Sequence, residues 1–282
     1  MSDPAAARAT FRSLHESGCF LIPNPWDAGS ARYLQHLGFK ALATTSSGFA
    51  FSRGLPDSEA AVPRDVALAH FAEIVAATDL PVNADFQGGY ATDPEGVAEN
   101  VLLCVETGVA GLSIEDSTGE TDRPLHDLPL AVARVAAARA AIDGSRSGVL
   151  LTARAECFLV GHPDPLPESI RRLRAYAEAG ADVLYAPGPH RPEDIHAIVE
   201  AVAPKPVNVL VSGSIGFTLA DLARLGVRRI SVGSALARSA WTAFARAARA
   251  MAERGSFEGF DGLISHGELD ALFRDGTRPL RG

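Results

Sequence analysis

Eight short runs of β-branched and aliphatic residues divide the chain, and they constrain its fold more than any other feature. Most are apolar along their whole length, which is typical of strands covered on both faces in a parallel sheet. Parallel neighbours need long crossover connections, and the segments between the runs have helical spacing. The runs occupy residues 19–23, 41–45, 81–85, 111–115, 149–154, 182–186, 206–211 and 229–233.

Local signals mark where the intervening helices begin. Asp93 and Pro94 place a capping carboxylate before a first-turn proline, and the apolar residues that follow recur every three or four positions. This pattern predicts a helix over 94–107. Similar patterns predict helices after Pro63, after Pro192 and over 167–179.

Eight strands alternating with helices in a chain of 282 residues predict a single (β/α)₈ TIM barrel over 1–282. No GxGxxG or GxxxxGK[ST] segment favours a doubly wound nucleotide-binding sheet. Apolar helices are also predicted at 235–253 and 268–273, beyond the eighth strand. We expect this C-terminal region, about 235–275, to pack against another subunit of a homo-oligomer.

Charge and composition exclude several classes of function. The net charge is −8 and the 26 Lys and Arg residues are scattered, so we expect no nucleic-acid partner. The N-terminus lacks the apolar run of a signal peptide, and no window is long and apolar enough to span a bilayer. Cys19, Cys104 and Cys157 lack metal-ligand spacing. These features predict a cytoplasmic protein without a membrane partner.

Polar residues collect at the carboxyl ends of the predicted strands, where barrel enzymes carry their chemistry. Asp85 and Glu115 end the third and fourth strands, and Asp57 lies in the loop after the second. Three carboxylates at one rim are suited to a hard divalent cation, which predicts a Mg²⁺ site that also accepts Mn²⁺. Asp116 is interpreted as structural, because it precedes a polar loop.

Two further groups at this rim are suited to binding an anion. Arg154 ends the fifth strand, which we expect to lie opposite the carboxylates, and its planar fork suits a substrate carboxylate. Thr45, Ser46 and Ser47 supply hydroxyl and backbone N–H groups for an anion or an enolate oxygen. The ligand predicted from this set is a small carboxylate.

Several segments jointly resemble the isocitrate lyase and phosphoenolpyruvate mutase superfamily, from about Ile22 to Trp241. They are Pro-Trp-Asp-Ala-Gly-Ser-Ala at 25–31, Gly-Leu-Pro-Asp at 54–57, Asn-Ala-Asp at 83–85, Gly-Gly-Tyr at 88–90, Ile-Glu-Asp at 114–116 and Ala-Arg at 153–154. The resemblance implies a Mg²⁺-dependent barrel in which Asp85 binds the ion directly, while Asp57 and Glu115 act through its waters. It also implies a tetramer, or a dimer, that exchanges a C-terminal helix.

For the substrate, the resemblance implies that Thr45, Ser46 and Ser47 hold a 2-oxo acid. Arg154 would contact the carboxylate or the forming enolate. Asn208 on the seventh strand lies near the position of an asparagine in the lyases of the superfamily, which implies a polar role in substrate binding.

The chain also departs from its relatives in ways that bear on the reaction. The isocitrate and methylisocitrate lyases carry a catalytic cysteine in the loop after the fourth strand, and residues 117–126 contain none. Residues 153–161 resemble the phosphonomutase branch more closely. However, the sixth strand ends in Pro187 instead of a polar residue, and Asn83 replaces the first metal-motif aspartate.

We therefore predict a Mg²⁺-dependent lyase that cleaves a carbon–carbon bond of a small 2-oxo or 2-hydroxy acid through a metal-stabilised enolate. The predicted catalytic residues are Arg154, Glu115 and Asp57. Glu120, Asp122 and His126 are unranked candidates for proton transfer. The alternatives are a phosphonopyruvate mutase or hydrolase, an oxaloacetate-type hydrolase or decarboxylase, and a non-catalytic 2-oxo acid binding protein.

Overall fold

Eight parallel strands form the centre of the molecule in a computed structural model, which describes residues 3–214 and 216–275. Each strand lies within one of the eight predicted runs. The strands are β1 (Phe20–Ile22), β2 (Leu42–Ala43), β3 (Val82–Asp85), β4 (Gly111–Glu115), β5 (Leu150–Arg154), β6 (Val183–Tyr185), β7 (Val207–Leu210) and β8 (Arg229–Ser231).

The strands follow one another in chain order around a nearly closed barrel. Each strand from β2 to β7 pairs in parallel with the next, and β8 returns to pair with β1, where Phe20 lies opposite Arg229. The seam between β1 and β2 is bridged by a hydrogen bond from the Ala43 N–H to the Pro23 carbonyl, at 3.1 Å. The predicted (β/α)₈ barrel is confirmed.

Helices surround the barrel, and those predicted from capping signals begin within two residues of the expected positions. Asp93, for example, accepts a hydrogen bond from Gly96 N at 2.8 Å and starts the helix after β3. The helices are α1 (Pro4–Leu14), α2 (Ala28–His36), α3 (Ser46–Ser52), α4 (Arg64–Ala77), α5 (Pro94–Glu106), α6 (Leu128–Ser145), α7 (Pro165–Glu178), α8 (Pro192–Val202), α9 (Leu219–Arg224), α10 (Ala235–Arg254), a 3₁₀ turn (Glu258–Phe260) and α11 (His266–Asp275).

The first helix closes one end of the barrel. Phe11 of α1 is fully buried and packs with Phe20 of β1. Arg8 donates from Nε to the Val109 carbonyl at 3.0 Å, just before β4 begins. Because α1 covers the amino-terminal ends of the strands, the carboxyl ends remain as the accessible face of the barrel.

The helices after β8 leave apolar side chains in solvent. Trp241 and Phe244 of α10 are 44% and 61% exposed, and their rings pack edge to face, 5.4 Å apart. Packing of this region against another subunit stays a prediction. The predicted domain, 1–282, also includes residues 1, 2 and 276–282, which lie outside the described residues. None of the described helices combines the length and apolar character that a membrane span requires.

Candidate active site

A cavity of about 250 Å³ opens at the carboxyl ends of the strands. It confirms that the polar strand ends meet at one face of the barrel. A wider surface depression of about 740 Å³, between α2 and α11, lies away from these strand ends. The lining residues with polar groups include Thr45, Ser46, Ser47, Asp57, Asp85, Arg154, Tyr185, Asn208, Arg229, Ser231 and Arg238.

An acidic wall, formed by Asp85, Glu115, Arg154 and Glu156, lies at the cavity, where Asp85 and Arg154 line it and the two glutamates are bound to Arg154. The Arg154 guanidinium binds all three carboxylates: Asp85 at 2.8 Å, Glu115 at 3.1 Å and Glu156 at 2.9 Å. Arg154 was predicted to lie opposite Glu115, and this prediction is wrong. The strands β4 and β5 are neighbours, and Glu115 lies in register with Arg154. Sequence reasoning also left Glu156 out of the site.

Carboxylates outnumber cations in the acidic wall. Burial raises the pKa of Glu115 and of Glu156, although Arg154 opposes the change. Burial also raises the pKa of Asp57, and the nearby Asp85 carboxylate raises it further. Burial alone would lower the Arg154 pKa, but its three carboxylate partners raise it well above the ordinary value. The surplus negative charge favours binding of a further cation.

The predicted metal ligands are only partly brought together. Across residues 3–214 and 216–275, no three Asp, Glu, His or Cys side chains are placed to hold a metal ion. Asp57 and Asp85 line the cavity, whereas Glu115 reaches the site through its ion pair with Arg154. Two adjacent carboxylates still fit Mg²⁺, because this ion keeps several waters and takes only one or two protein carboxylates.

The segment between β2 and α3 lies beside the Asp85 carboxylate. Ser46 N donates to Asp85 Oδ2 at 2.9 Å, and Thr45 Oγ1 accepts from Gly48 N at 3.2 Å as the cap of α3. The Ser46 N–H, which was predicted to cradle an anion, is therefore already bound within the protein, as is the N–H of Gly48. The Ser46 and Ser47 hydroxyls remain at the cavity as substrate-binding candidates.

A second group at the cavity is the basic floor, in which Arg229 lines the cavity and is held by Asn208, Thr152 and His15. Asn208 was predicted at the site and lines the cavity, where it accepts a hydrogen bond from Arg229 Nε at 2.8 Å and donates to Ser231 Oγ at 2.9 Å. Sequence reasoning missed Arg229. The available signal was an arginine two residues before Ser231, on the same face of a strand that was otherwise read as apolar.

The candidate proton-transfer residues lie elsewhere. Residues Ser117 and Leu125 pair to hold the loop after β4. Glu120 faces solvent beside Arg123, and His126 is buried with its backbone N–H bound to the Asp116 carbonyl. Among the described residues, none of the three candidates lines the cavity.

Asp116 has the structural role that the sequence suggested. Its carboxylate accepts hydrogen bonds from Glu156 N at 2.9 Å, from Arg172 at 2.9 Å and from the Tyr176 hydroxyl at 2.6 Å. All four groups are buried. Asp116 thereby fixes the backbone of Glu156 and, with it, one carboxylate of the acidic wall.

Tyr185, at the end of β6, is a cavity residue that sequence reasoning missed. Arg154 lies over its ring, 5.1 Å from the centroid. Burial raises the pKa of Tyr185 to about 12, against the opposing effect of Arg154. The phenol therefore keeps its proton at neutral pH. The sixth strand therefore ends in a polar group, two residues before Pro187.

The chain is similar to several known proteins over most of its length. The family model for phosphoenolpyruvate phosphomutase matches residues 11–252. A crystal structure of a candidate lyase/mutase from Burkholderia cenocepacia J2315 is 46% identical, covers 96% of each chain and has a TM-score of 0.91. Oxaloacetate acetylhydrolase in complex with oxalate is 28% identical over 97% of this chain and 96% of its own, with a TM-score of 0.84. Oxaloacetate decarboxylase of Paraburkholderia xenovorans is 30% identical over 82% of this chain and 77% of its own.

Proposed function

The chain belongs to the phosphoenolpyruvate phosphomutase family, within the isocitrate lyase/PEP mutase superfamily of enzymes. From this membership we propose that it cleaves a carbon–carbon bond of a small 2-oxo or 2-hydroxy carboxylic acid, with Mg²⁺ or Mn²⁺ as cofactor. The observation that carries the proposal is the surplus of carboxylates around one guanidinium at the cavity. A cation would stabilise such a site, and the cavity of about 250 Å³ can accommodate a small oxygen-rich ligand.

Asp85 and Asp57 are the residues that would hold the ion. Asp85 is fixed on both oxygens, by Ser46 N and by Arg154, so its orientation is set before any ligand arrives. When bound, Mg²⁺ supplies positive charge that polarises the carboxylate and 2-oxo oxygens of a substrate. Glu115 supports Asp85 indirectly, because both carboxylates share Arg154.

The role of Arg154 differs from the one its planar fork suggested. Its Nε and both terminal nitrogens already bind carboxylates, so we assign it to orienting Asp85 and Glu115. The Ser46 and Ser47 hydroxyls lie at the cavity and are proposed to bind the 2-oxo acid, beside Thr45, whose hydroxyl caps α3.

Tyr185 is the proposed proton donor. When the carbon–carbon bond of a 2-oxo acid breaks, its electron pair stays on the carbon next to the 2-oxo group, and the other fragment leaves as a carbonyl compound whose former hydroxyl proton passes to solvent. The resulting enolate takes a proton from Tyr185 Oη. The guanidinium over the Tyr185 ring stabilises the phenolate that forms. Solvent then returns a proton to Tyr185, which completes the cycle.

Decarboxylation of an oxaloacetate-type acid is the second candidate. It also breaks a carbon–carbon bond next to a 2-oxo group, but it needs no base to remove a hydroxyl proton. The described loop after β4 places none of its acid or base side chains at the cavity, which favours a reaction with a single proton transfer. The relative from Paraburkholderia xenovorans is an oxaloacetate decarboxylase.

Product analysis separates these reactions. The purified chain with Mg²⁺ is incubated with a panel of 2-oxo acids, 2-hydroxy acids and phosphonopyruvate, and products are followed by NMR, with EDTA-treated enzyme as control. An oxo-acid or aldehyde fragment supports the lyase, and CO₂ supports the decarboxylase. Release of phosphate from phosphonopyruvate would contradict both proposals and would show that the enzyme cleaves a phosphorus–carbon bond. Thermal stabilisation by oxalate without turnover of any acid would instead identify a binding protein.

A further inference from the structure

Arg229 is a buried arginine whose charge the proposed reaction has not used. It lies on β8, is 3% exposed and points into the barrel, where it lines the cavity. Its Nε donates to Asn208 Oδ1 at 2.8 Å, and Nη2 donates to Thr152 Oγ1 at 3.1 Å. Its Nη1 lies 3.4 Å from His15 Nε2. Strands β5 and β7 and the segment after α1 therefore hold the guanidinium in one position.

All three partners of Arg229 are neutral. His15 Nδ1 lies 2.7 Å from the Phe11 carbonyl, which can only accept, so Nδ1 carries the proton and Nε2 accepts from Arg229. Burial, followed by the Arg229 charge, lowers the pKa of His15 to about 3, so this ring is uncharged. Across residues 3–214 and 216–275, no carboxylate contacts Arg229.

Burial lowers the pKa of Arg229 to about 10, which leaves the guanidinium protonated at neutral pH. An uncompensated charge in a protein interior is strongly unfavourable, and a bound counter-ion relieves the penalty. The cavity is the side of Arg229 from which such an ion can arrive. Arg154 does not compete for the anion, because three carboxylates already compensate its charge.

We propose that Arg229 binds a carboxylate of the substrate at the basic floor, with Asn208, Thr152 and His15 holding the guanidinium in place. This inference rests on the proposed function and narrows it. The acidic wall, with its cation, holds the 2-oxo or 2-hydroxy acid end, and Arg229 holds a second carboxylate. The substrate is therefore a dicarboxylic acid, oriented by two sites of opposite charge that line one cavity.

Two probes that differ by one carboxylate test the assignment. L-lactate and L-malate share the 2-hydroxy acid end, and their affinities are measured by calorimetry in the presence of Mg²⁺. Wild-type protein is expected to prefer malate by about 10-fold or more, because a charge-assisted hydrogen bond to a buried guanidinium is strong. Arg229→Gln should weaken malate by about 10- to 100-fold and leave lactate affinity within about 3-fold.

Two further variants, Arg229→Lys and Arg238→Gln, show whether the preference for malate depends specifically on Arg229. Arg229→Lys keeps the charge and should retain part of the preference for malate. If Arg229→Gln does not fold, the lysine variant provides the test instead. Arg238→Gln removes an exposed arginine that also lines the cavity, and it should leave the preference unchanged. Circular dichroism and melting curves establish that each variant is folded.

Four outcomes would overturn the inference or its premise. Equal wild-type affinity for lactate and malate, or an equal loss of both in a folded Arg229→Gln protein, would make Arg229 a structural residue. Loss of the preference in Arg238→Gln but not in Arg229→Gln would show that Arg238, at the rim of the cavity, binds the second carboxylate. No Mg²⁺-dependent binding of oxalate by wild-type protein would contradict the proposed function itself.

Discussion

The acidic wall and the basic floor face the same cavity, and each contains one buried arginine. In the wall, Arg154 has three carboxylate partners at 2.8 to 3.1 Å. In the floor, Arg229 is bound by an amide, a hydroxyl and a neutral imidazole. Residue type alone therefore says little about the role of either arginine.

The difference lies in what each group still requires. The wall has more negative than positive charge, so a cation stabilises it, whereas the floor has a positive charge without a counter-ion, so an anion stabilises it. A substrate with two acidic ends would satisfy both. The contrast predicts that changes in the wall act on the metal and on stability, while changes in the floor act on the second carboxylate.

The largest effect is expected from Asp85→Ala. This change removes the carboxylate that faces the cavity between Ser46 N and Arg154, and it should abolish Mg²⁺-dependent oxalate binding. Calorimetry with and without EDTA measures the loss. Asp127→Ala is the matched control, because Asp127 is exposed and its side chain makes no capping hydrogen bond to α6. Wild-type affinity in Asp85→Ala would rule out the metal site.

Removing the cation of the wall should act on stability. Arg154→Met leaves the three carboxylates without their shared partner, and the free energy of unfolding is expected to fall by about 3 to 5 kcal/mol. Urea denaturation gives the value. Arg154→Lys keeps the charge but loses the fork, so it should be more stable than Arg154→Met yet still impaired in rate. Equal stability of wild type and Arg154→Met would show that the ion pairs of Arg154 do not stabilise the folded protein.

Tyr185→Phe tests the group that lies between the two regions. The ring and its contact with Arg154 remain, but the proton donor is lost, so kcat should fall by about 100-fold while oxalate affinity is unchanged. Steady-state kinetics on the substrate found by product analysis, together with oxalate titration, separate the two effects. A kcat near wild type would assign proton transfer to another group.

The smallest effect concerns the floor and its dependence on pH. The pKa of His15 is lowered from 6.5 to about 3 in the folded state, so below pH 6.5 the unfolded chain binds a proton that the folded protein does not. Acidification to pH 5 should therefore cost about 2 kcal/mol through this residue, whereas above pH 6.5 it has no effect. His15→Gln should reduce this slope of unfolding free energy against pH, and the exposed His190→Gln should not. Identical slopes for wild type and His15→Gln would show that His15 is not held neutral.

Much of the fold could be predicted because it is encoded locally. Each strand coincides with an apolar run, and the helix after Asp93 begins where a carboxylate and a proline mark it. The site was predicted less completely. Asp57, Asp85, Arg154 and Asn208 line the cavity; the first three end or follow a strand, and Asn208 lies within β7. The position of Arg154 relative to Glu115 was wrong, because spacing along the chain does not reveal which strands are neighbours.

The amino-acid order by itself determined where strands and helices form and which end of the barrel collects polar groups. Only the tertiary structure decided which charges meet. Arg229 depends on Thr152, Asn208 and His15, which come from distant parts of the chain. A buried charge is defined by its surroundings in space, and strand pairing and barrel closure set those surroundings.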